Sequence, residues 1–270
     1  MKRYSNIILI SLALTLTLFA GCGGGGNNSS TNTSAVPVSP VTIPEGDRYF
    51  SNISVDEMKA AAKSLTGSKQ TAKAIIIQQV KEHWGVIQSK FGFTDVTKAC
   101  AFFLGFATRE STLDMGLETP TGQTFKLGEN QPSHSYGLLQ TAETAYAGAY
   151  KDYAPETDVP ELTQYQYTPE NFYDPGISVH MGIRHLIHFG NQAKANGSKG
   201  IDILRYAVLG FNTGHVTGGS ADWMKDYVDE MGALAQWYYN GHLTDNTYTW
   251  HTDPRAAAYR SSPWDWTGIK

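Results

Sequence analysis

Cysteine is nearly absent from this chain, which has two cysteines in 270 residues, Cys22 and Cys100. Neither belongs to a Cys/His cluster with the spacing of a zinc site. His185 and His188 lie three positions apart on a predicted helix and could share a metal, but a solvated or substrate-facing role is the better interpretation. We interpret Cys100 as a small apolar residue of a helix core. The fold therefore has to be stabilised by its core, and no metal site is predicted.

Positive charge is also scarce, with 21 Lys and Arg against 25 Asp and Glu and a net charge of −4. A protein that binds nucleic acid usually carries a basic stripe, and none is present. No glycine-rich loop follows a strand in the way that a phosphate-binding loop does. These absences exclude a nucleic-acid partner and a nucleotide-binding loop.

Long hydrophobic runs are limited to one, Ile7–Ala20, which follows Lys2 and Arg3. A run of this length with a positive start is typical of a secretory signal. The sequence F-A-G-C that ends at Cys22 resembles a bacterial lipobox, which implies cleavage before Cys22 and a lipid on its thiol. An ordinary signal peptide with an incidental cysteine is the alternative. We predict a signal peptide over 1–21, and an exported protein anchored in a membrane, with the periplasmic face of the outer membrane preferred.

The glycines and polar residues after Cys22 predict a flexible tether over 22–46. Beyond it, apolar residues recur at helical spacing and few stretches alternate as strands do. Ser54 and Glu57 form a plausible capping box, Asp95 can cap the helix that follows Gly92, and Asp174 precedes a proline at a helix start. We therefore predict an all-α domain over 47–243 and expect it to be a monomer.

Glu110 is the residue that points to chemistry. It closes a predicted helix whose apolar face contains Val96, Cys100 and Phe103, and at about 100° per residue it lies on this buried face, whereas Arg109 faces roughly the other way. Burying an ionised carboxylate is unfavourable, so such a group finds a partner, is neutralised or takes part in catalysis. Glu110 is our candidate catalytic residue.

Four motifs extend this interpretation: E-S at Glu110–Ser111, Y-G-L-L-Q at Tyr136–Gln140, a D-P stretch at Asp174–Leu186, and F-N-T-G at Phe211–Gly214. Their order resembles that of the soluble lytic transglycosylase domain family, over residues 96–240. The resemblance implies a lysozyme-like, all-helical fold with a two-lobed glycan cleft. It also implies peptidoglycan as the partner, one catalytic glutamate, and no metal or organic cofactor.

The activity implied by this resemblance is cleavage of the MurNAc-GlcNAc β-1,4 bond with formation of 1,6-anhydroMurNAc ends. Glu110 would act first as acid and then as base, so no second carboxylate is required. Two alternatives stay open. One is a hydrolytic muramidase or chitinase-type glycosidase on the same fold, and the other is a murein-binding lipoprotein without turnover.

The same resemblance assigns substrate contacts to five residues. Ser111 and Gln140 would bond to the sugars, Gly137 would let the backbone approach the glycan, and Tyr136 and Asn212 complete the set. The tyrosine of the family pattern Y-N-A-G is replaced by Phe211. Its hydroxyl would then have to come from another residue, Tyr136 or Tyr206.

The segment between Glu110 and Gly137 is longer than the family pattern, and we expect it to reshape one side of the cleft. It contains Asp114 and Glu129, either of which could act as a second carboxylate in a hydrolase. Asp114 lies closer to Glu110 and is the better candidate. The aromatic residues over 244–270 could stack on sugars, but a strap packed on the helical core is the preferred interpretation.

Overall fold

The computed structural model describes most of the predicted domain, in eight stretches: residues 46–50, 53–65, 68–115, 118–124, 132–142, 157–165, 169–217 and 224–242. The predicted signal peptide 1–21, the lipidation site Cys22, the tether 22–46 up to residue 45, and the strap 244–270 lie outside these stretches. Those predictions therefore stay predictions.

Helices form most of the described structure, which is consistent with the predicted all-α domain. A π-helical turn, Met224–Asp229, precedes the last α-helix, and the segment Tyr238–His242 follows it, where Asn240 and Gly241 leave the helical conformation. No helix within the described stretches is long and apolar enough to cross a membrane. The α-helices, in chain order, are α1 (Val55–Ser64), α2 (Lys69–Glu82), α3 (Trp84–Phe91), α4 (Val96–Ser111), α5 (Pro169–Tyr173), α6 (Pro175–Ala195), α7 (Ile201–Thr213) and α8 (Glu230–Trp237).

The helix starts follow the predicted capping residues. Ser54 and Glu57 form a capping box at α1, and the Asp95 side chain accepts a 2.9 Å hydrogen bond from the backbone N–H of Lys98 at the start of α4. Asp174 caps α6 through the backbone N–H groups of Gly176 and Ile177. In each case a side-chain oxygen satisfies backbone donors that the first helical turn leaves free.

One amphipathic helix ended by Gly92 is predicted by the helical spacing of Ile76, Val80, Trp84, Ile87 and Phe91, but the chain forms two helices there, α2 and α3. The chain leaves the helical conformation at His83, where φ is −100° and ψ is 14°. The His83 ring is held by Asp47, whose Oδ1 lies 3.0 Å from Nε2. Gly92 ends α3 in the left-handed conformation, as its position predicted.

A small antiparallel sheet was not predicted. Its strands are β1 (Glu118–Thr124), β2 (Pro132–Tyr136) and β3 (Thr141–Ala142), in the order β1-β2-β3. These strands are short and polar in sequence, so they lack the apolar alternation by which a half-buried strand is recognised. Strands β1 and β2 lie in the segment that was expected to reshape the cleft, and their register pairs Glu118 with Tyr136.

The core surrounds α4 and α6. Every residue of α4 from Ala99 to Thr108 is buried, Cys100 included, and so is every residue of α6 from Pro175 to Gly190. The backbones of α4 and α8 approach closely at Gly105, where an added Cβ would lie 2.7 Å from the backbone nitrogen of Ala235. This close packing holds the π-helical turn before α8 next to the end of α4.

Candidate active site

Glu110 lies in the last turn of α4 and is paired with a tyrosine from the other end of the domain. Tyr227 Oη donates a 2.6 Å hydrogen bond to Glu110 Oε1. Burial raises the pKa of Glu110 to about 7, although the hydrogen bond from Tyr227 and the charge of Arg109 oppose the rise. Glu110 can therefore hold a proton close to neutral pH and give it to a bound substrate.

Arg109 packs beside this pair. Its guanidinium lies 4.8 Å from the centre of the Tyr227 ring, and its Nε lies 3.2 Å from Glu230 Oε2. Arg109 was expected to face away from Glu110, but α8 turns it toward the tyrosine. Tyr227 is thus held between a cation on its ring face and a carboxylate at its hydroxyl.

Asn212 joins the same group from α7. Its side chain hydrogen-bonds to Tyr227, whose pKa is raised well above its usual value, chiefly by burial and then by Glu110. Asn212 itself is exposed near the end of α7. The structure therefore brings together two residues predicted from separate motifs, Glu110 and Asn212, through a third that was not predicted.

The hydroxyl beside Glu110 comes from Tyr227, and neither Tyr136 nor Tyr206 takes the role that the resemblance left open at Phe211. Phe211 packs edge-on against Phe106, with ring centres 4.8 Å apart. Tyr227 recurs at helical spacing with Met231 and Leu234, which predicts only the apolar face of the last helix, and it lies 117 positions from Glu110. That spacing contains no local signal of a contact.

Ser111 links the end of α4 to the turn that follows β2. Its Oγ lies 2.9 Å from the carbonyl oxygen of Ala107 and 2.8 Å from that of Leu138, and the side chain is buried. This contact fixes the turn beside the catalytic candidate. The predicted sugar contact of Ser111 stays a prediction.

The sequence of the turn 137–140 is explained by its backbone conformation and its contacts. Gly137 has a φ of 68°, and a Cβ there would lie 2.5 Å from Ser178 Oγ on α6. Gln140, with a φ of 49°, donates from Nε2 to the carbonyl oxygen of Gly137 at 2.8 Å. Tyr136 stacks on Phe172 with ring centres 4.7 Å apart. The substrate roles predicted for these three residues stay predictions.

Of the two predicted second carboxylates, Glu129 lies outside the described residues. Asp114 follows α4 in a turn, where its backbone N–H donates to the carbonyl oxygen of Ser111 at 3.1 Å. Glu230 is also close to the site but is paired with Arg109. The choice between Asp114 and Glu129 therefore stays a prediction.

The comparisons with known proteins fit this geometry. The family model described as Cel124 C-terminal catalytic domain matches residues 67–239. One similar structure is described as CtCel124, a cellulase from Clostridium thermocellum, with 48% sequence identity, a TM-score of 0.68, and coverage of 81% of this chain and 98% of that chain. Another is a GH124 cellulase from Ruminiclostridium thermocellum in complex with Mn and fructosylated cellopentaose, with 47% identity, a TM-score of 0.69 and the same coverage. A comparison with curated proteins gives no match.

These matches correct the resemblance drawn from the motifs. The assignment to the soluble lytic transglycosylase family is wrong, and so are the predicted peptidoglycan transglycosylase activity and the peptidoglycan partner. The lysozyme-like form of the fold is not shown either. The motifs predicted the wrong family because local packing also constrains their residues: Ser111 bonds to Leu138, and Gly137 packs on Ser178. Such needs can be shared by helical proteins that act on different glycans.

The coarser prediction, a catalytic domain that acts on a glycan, agrees with these relatives, because the similar structures are described as cellulases. The family model covers well over half of the chain, and it includes Glu110, Asn212 and Tyr227. The chain belongs to the family defined by the Cel124 C-terminal catalytic domain.

Proposed function

We propose that this protein hydrolyses β-1,4-glucosidic bonds of cellulose, with Glu110 as the general acid. The observation that carries the proposal is a half-buried glutamate with a pKa raised to about 7, in a chain of the Cel124 family. Glycosidic cleavage requires an acid that is still protonated near neutral pH, which an ordinary glutamate is not. The relative determined with fructosylated cellopentaose supports a β-glucan as the substrate class.

Tyr227 sets the direction of proton transfer. Because its hydroxyl donates to Oε1 of Glu110, the acidic proton belongs on Oε2, where it can point at the glycosidic oxygen. When the proton leaves, the new carboxylate keeps the hydrogen bond from Tyr227 and gains the attraction of Arg109. The site therefore favours the protonated acid before the step and stabilises the anion after it.

Hydrolysis also needs a water molecule and a base to activate it. Glu230 is paired with Arg109 and is poorly suited to that role. Asp114 lies in the turn four positions after Glu110 and is the carboxylate that we propose for it. The step then forms a bond from the water oxygen to the anomeric carbon and breaks the bond to the leaving sugar. The oxygen of the leaving sugar takes the proton of Glu110, and Asp114 takes one proton from the attacking water.

The surface around Glu110 suggests where the glucan lies. Ser111 holds the turn 137–140 against the end of α4, and Asn212 places the end of α7 on the other side of Tyr227. We infer that the chain of glucose units runs across these three element ends, in a cleft with α7 on one side and the turn on the other. Gln140 and Asn212 are the amide side chains available to its hydroxyl groups.

The first experiment compares substrates. The purified full chain is incubated with amorphous cellulose, with cellopentaose and with purified peptidoglycan, and soluble products are separated by mass spectrometry. We expect shorter glucose oligomers with ordinary reducing ends from the first two substrates and no muropeptides from the third. Cleavage of neither cellulose nor cellopentaose would contradict the proposal.

Replacing Tyr227 with phenylalanine should shift the pH profile in a defined direction. The hydrogen bond from Tyr227 lowers the pKa of Glu110, so its loss raises that pKa further above 7. Because the protonated acid is the active form, the alkaline limb of kcat/KM should move to higher pH by about 0.5 to 1 unit. The rate at the optimum should fall about 10-fold, since the proton is no longer confined to Oε2.

Tyr238 provides a matched control for this shift. It is also fully buried, and its hydroxyl bonds to Thr108 Oγ1 of α4 at 2.7 Å and not to Glu110. Tyr238→Phe should leave the alkaline limb unchanged. An alkaline limb that stays in place or moves to lower pH in Tyr227→Phe would show that Tyr227 does not act on Glu110 as described.

A further inference from the structure

A second cluster of ionisable side chains lies on elements that contribute neither Glu110 nor Tyr227. It consists of Asp47 on the segment before α1, His83 between α2 and α3, and His180 on α6. Within the described part of the chain it is the group of His and Asp residues whose side-chain atoms converge closely enough to hold an ion. Neither the motifs nor the proposed reaction uses any of the three residues.

Three atoms of this cluster form a nearly equilateral triangle. His83 Nε2 lies 3.0 Å from Asp47 Oδ1, His180 Nδ1 lies 3.2 Å from the same oxygen, and the two nitrogens lie 2.8 Å apart. An octahedral ion with metal–ligand bonds of about 2.1 Å separates adjacent ligand atoms by about 3.0 Å. The triangle therefore matches one face of such a coordination sphere.

The hydrogen bonds around the triangle determine which of its atoms carry protons. His180 Nε2 lies 2.8 Å from the carbonyl oxygen of Thr163, which can only accept, so Nε2 carries the proton of a neutral ring. His180 Nδ1 then presents a lone pair to Asp47 Oδ1. Two acceptors thus lie 3.2 Å apart, and their repulsion is relieved by a positive centre that both can share, which is either the N–H of His83 Nε2 or a bound cation.

Asp47 is also held from its other side. Its second oxygen, Oδ2, accepts a 2.7 Å hydrogen bond from Tyr165 Oη, which orients Oδ1 toward the histidines. A backbone carbonyl on a ligating histidine and a hydroxyl on a ligating carboxylate are the supporting contacts that metal ligands usually have.

We propose that Asp47, His83 and His180 bind one divalent cation of the first transition series, from Mn²⁺ to Zn²⁺. Two imidazole nitrogens and one carboxylate oxygen on a common face are a ligand set that these ions accept. The His180 side chain is 1% exposed, whereas those of His83 and Asp47 are 15% and 14% exposed. The remaining coordination positions can therefore be filled by water from the open side.

An ion at this place would connect three separate parts of the chain. It would hold the segment 46–50 against the α2–α3 junction and the first half of α6. The inference does not depend on the proposed reaction, because acid catalysis by Glu110 draws on none of the three ligands. Its expected effect is on metal binding and stability.

The test is a direct binding measurement on the full chain after removal of metals with a chelator. Mn²⁺ is added and the free ion is followed by electron paramagnetic resonance, and Zn²⁺ is then used as competitor. We expect one Mn²⁺ bound per chain and its displacement by Zn²⁺. We also expect the melting temperature to rise by several degrees when metal is restored, since the ion binds only the folded state.

Variants identify the ligands. His83→Gln should weaken Mn²⁺ binding at least 100-fold, and Tyr165→Phe, which only orients Asp47, should weaken it about 10-fold. His188→Gln is the matched control: this buried α6 histidine bonds to Asp158 and Gln192, and its loss should leave Mn²⁺ affinity within about threefold.

Two outcomes would overturn the proposal. One is the absence of stoichiometric binding of either ion, which would mean that a protonated histidine holds the cluster together. The other is Mn²⁺ binding that His83→Gln does not weaken in a protein with an unchanged circular dichroism spectrum. Tyr165→Phe keeps the test informative if His83→Gln does not fold, because its substitution removes a single hydroxyl.

Discussion

Replacing Glu110 with glutamine should lower the rate of cellulose hydrolysis by about 1000-fold or more at neutral pH. The amide keeps the size of the side chain and can still accept the hydrogen bond from Tyr227, but it has no proton to give to the leaving oxygen. Release of soluble glucose oligomers from amorphous cellulose measures the loss. Asp114→Asn, assayed in parallel, should also lose activity if Asp114 activates the water.

The same variant has a second readout that does not involve activity. The pKa of Glu110 is raised from 4.5 to about 7 by burial, so ionising this group costs the folded state stability as pH rises through that range. Glutamine does not ionise. Glu110→Gln should therefore be more stable than the natural chain at pH 8, by at most about 3 kcal/mol, and should match it at pH 4.

Glu161 supplies the control for both measurements. It is an exposed glutamate paired with Lys90 at 2.9 Å, far along the chain from the site. Glu161→Gln should change neither the rate nor the stability at pH 8 by a measurable amount. If Glu110→Gln kept near-natural activity, the assignment of the acid would be wrong. If it gained no stability at pH 8, the pKa of Glu110 would not be raised as described.

Replacing Asp174 with alanine should destabilise the fold by about 3 to 5 kcal/mol, the largest effect on stability that we expect from a single substitution. The Asp174 carboxylate is completely buried and accepts hydrogen bonds from four backbone N–H groups, those of Gly176 and Ile177 in α6 and those of Tyr49 and Phe50 in the segment before α1. Alanine would leave all four donors without this acceptor. Urea unfolding followed by circular dichroism measures the loss.

Asp95 shows how much of this effect is helix capping alone. Its side chain caps α4 through one backbone N–H group and is partly exposed. Asp95→Ala should cost about 1 kcal/mol, as N-cap substitutions usually do. Equal losses at the two positions would mean that the contacts of Asp174 with Tyr49 and Phe50 contribute nothing.

The features that could be predicted from the sequence are those set by neighbouring residues. The capping box at Ser54, the caps at Asp95 and Asp174 and the stop at Gly92 depend on a few adjacent positions, and the structure has each of them. The break at His83 was missed because it depends on Asp47, 36 positions away. The sheet was missed because its strands have no apolar alternation.

The site shows the same division. Placing Glu110 on the buried face of α4 needed only the helical period, and its raised pKa follows from that position. Tyr227 could not be found in this way, because its contact with Glu110 results from the packing of α8 against Gly105. The substrate class was predicted wrongly for a further reason. Short motifs around a glycan site are constrained by packing as well as by chemistry, and packing does not identify the sugar.

The contacts of Asp174 also order the events of folding. The segment that contains Tyr49 and Phe50 leaves the ribosome more than a hundred residues before Asp174 does, because 125 and 124 positions separate them. It has no acceptor for these two N–H groups until α6 has been synthesised. The beginning of the domain is therefore among the first parts to be made and among the last to pack against the rest. A chain that is truncated after α5 lacks Asp174, so its N-terminal segment stays undocked and accessible to proteases.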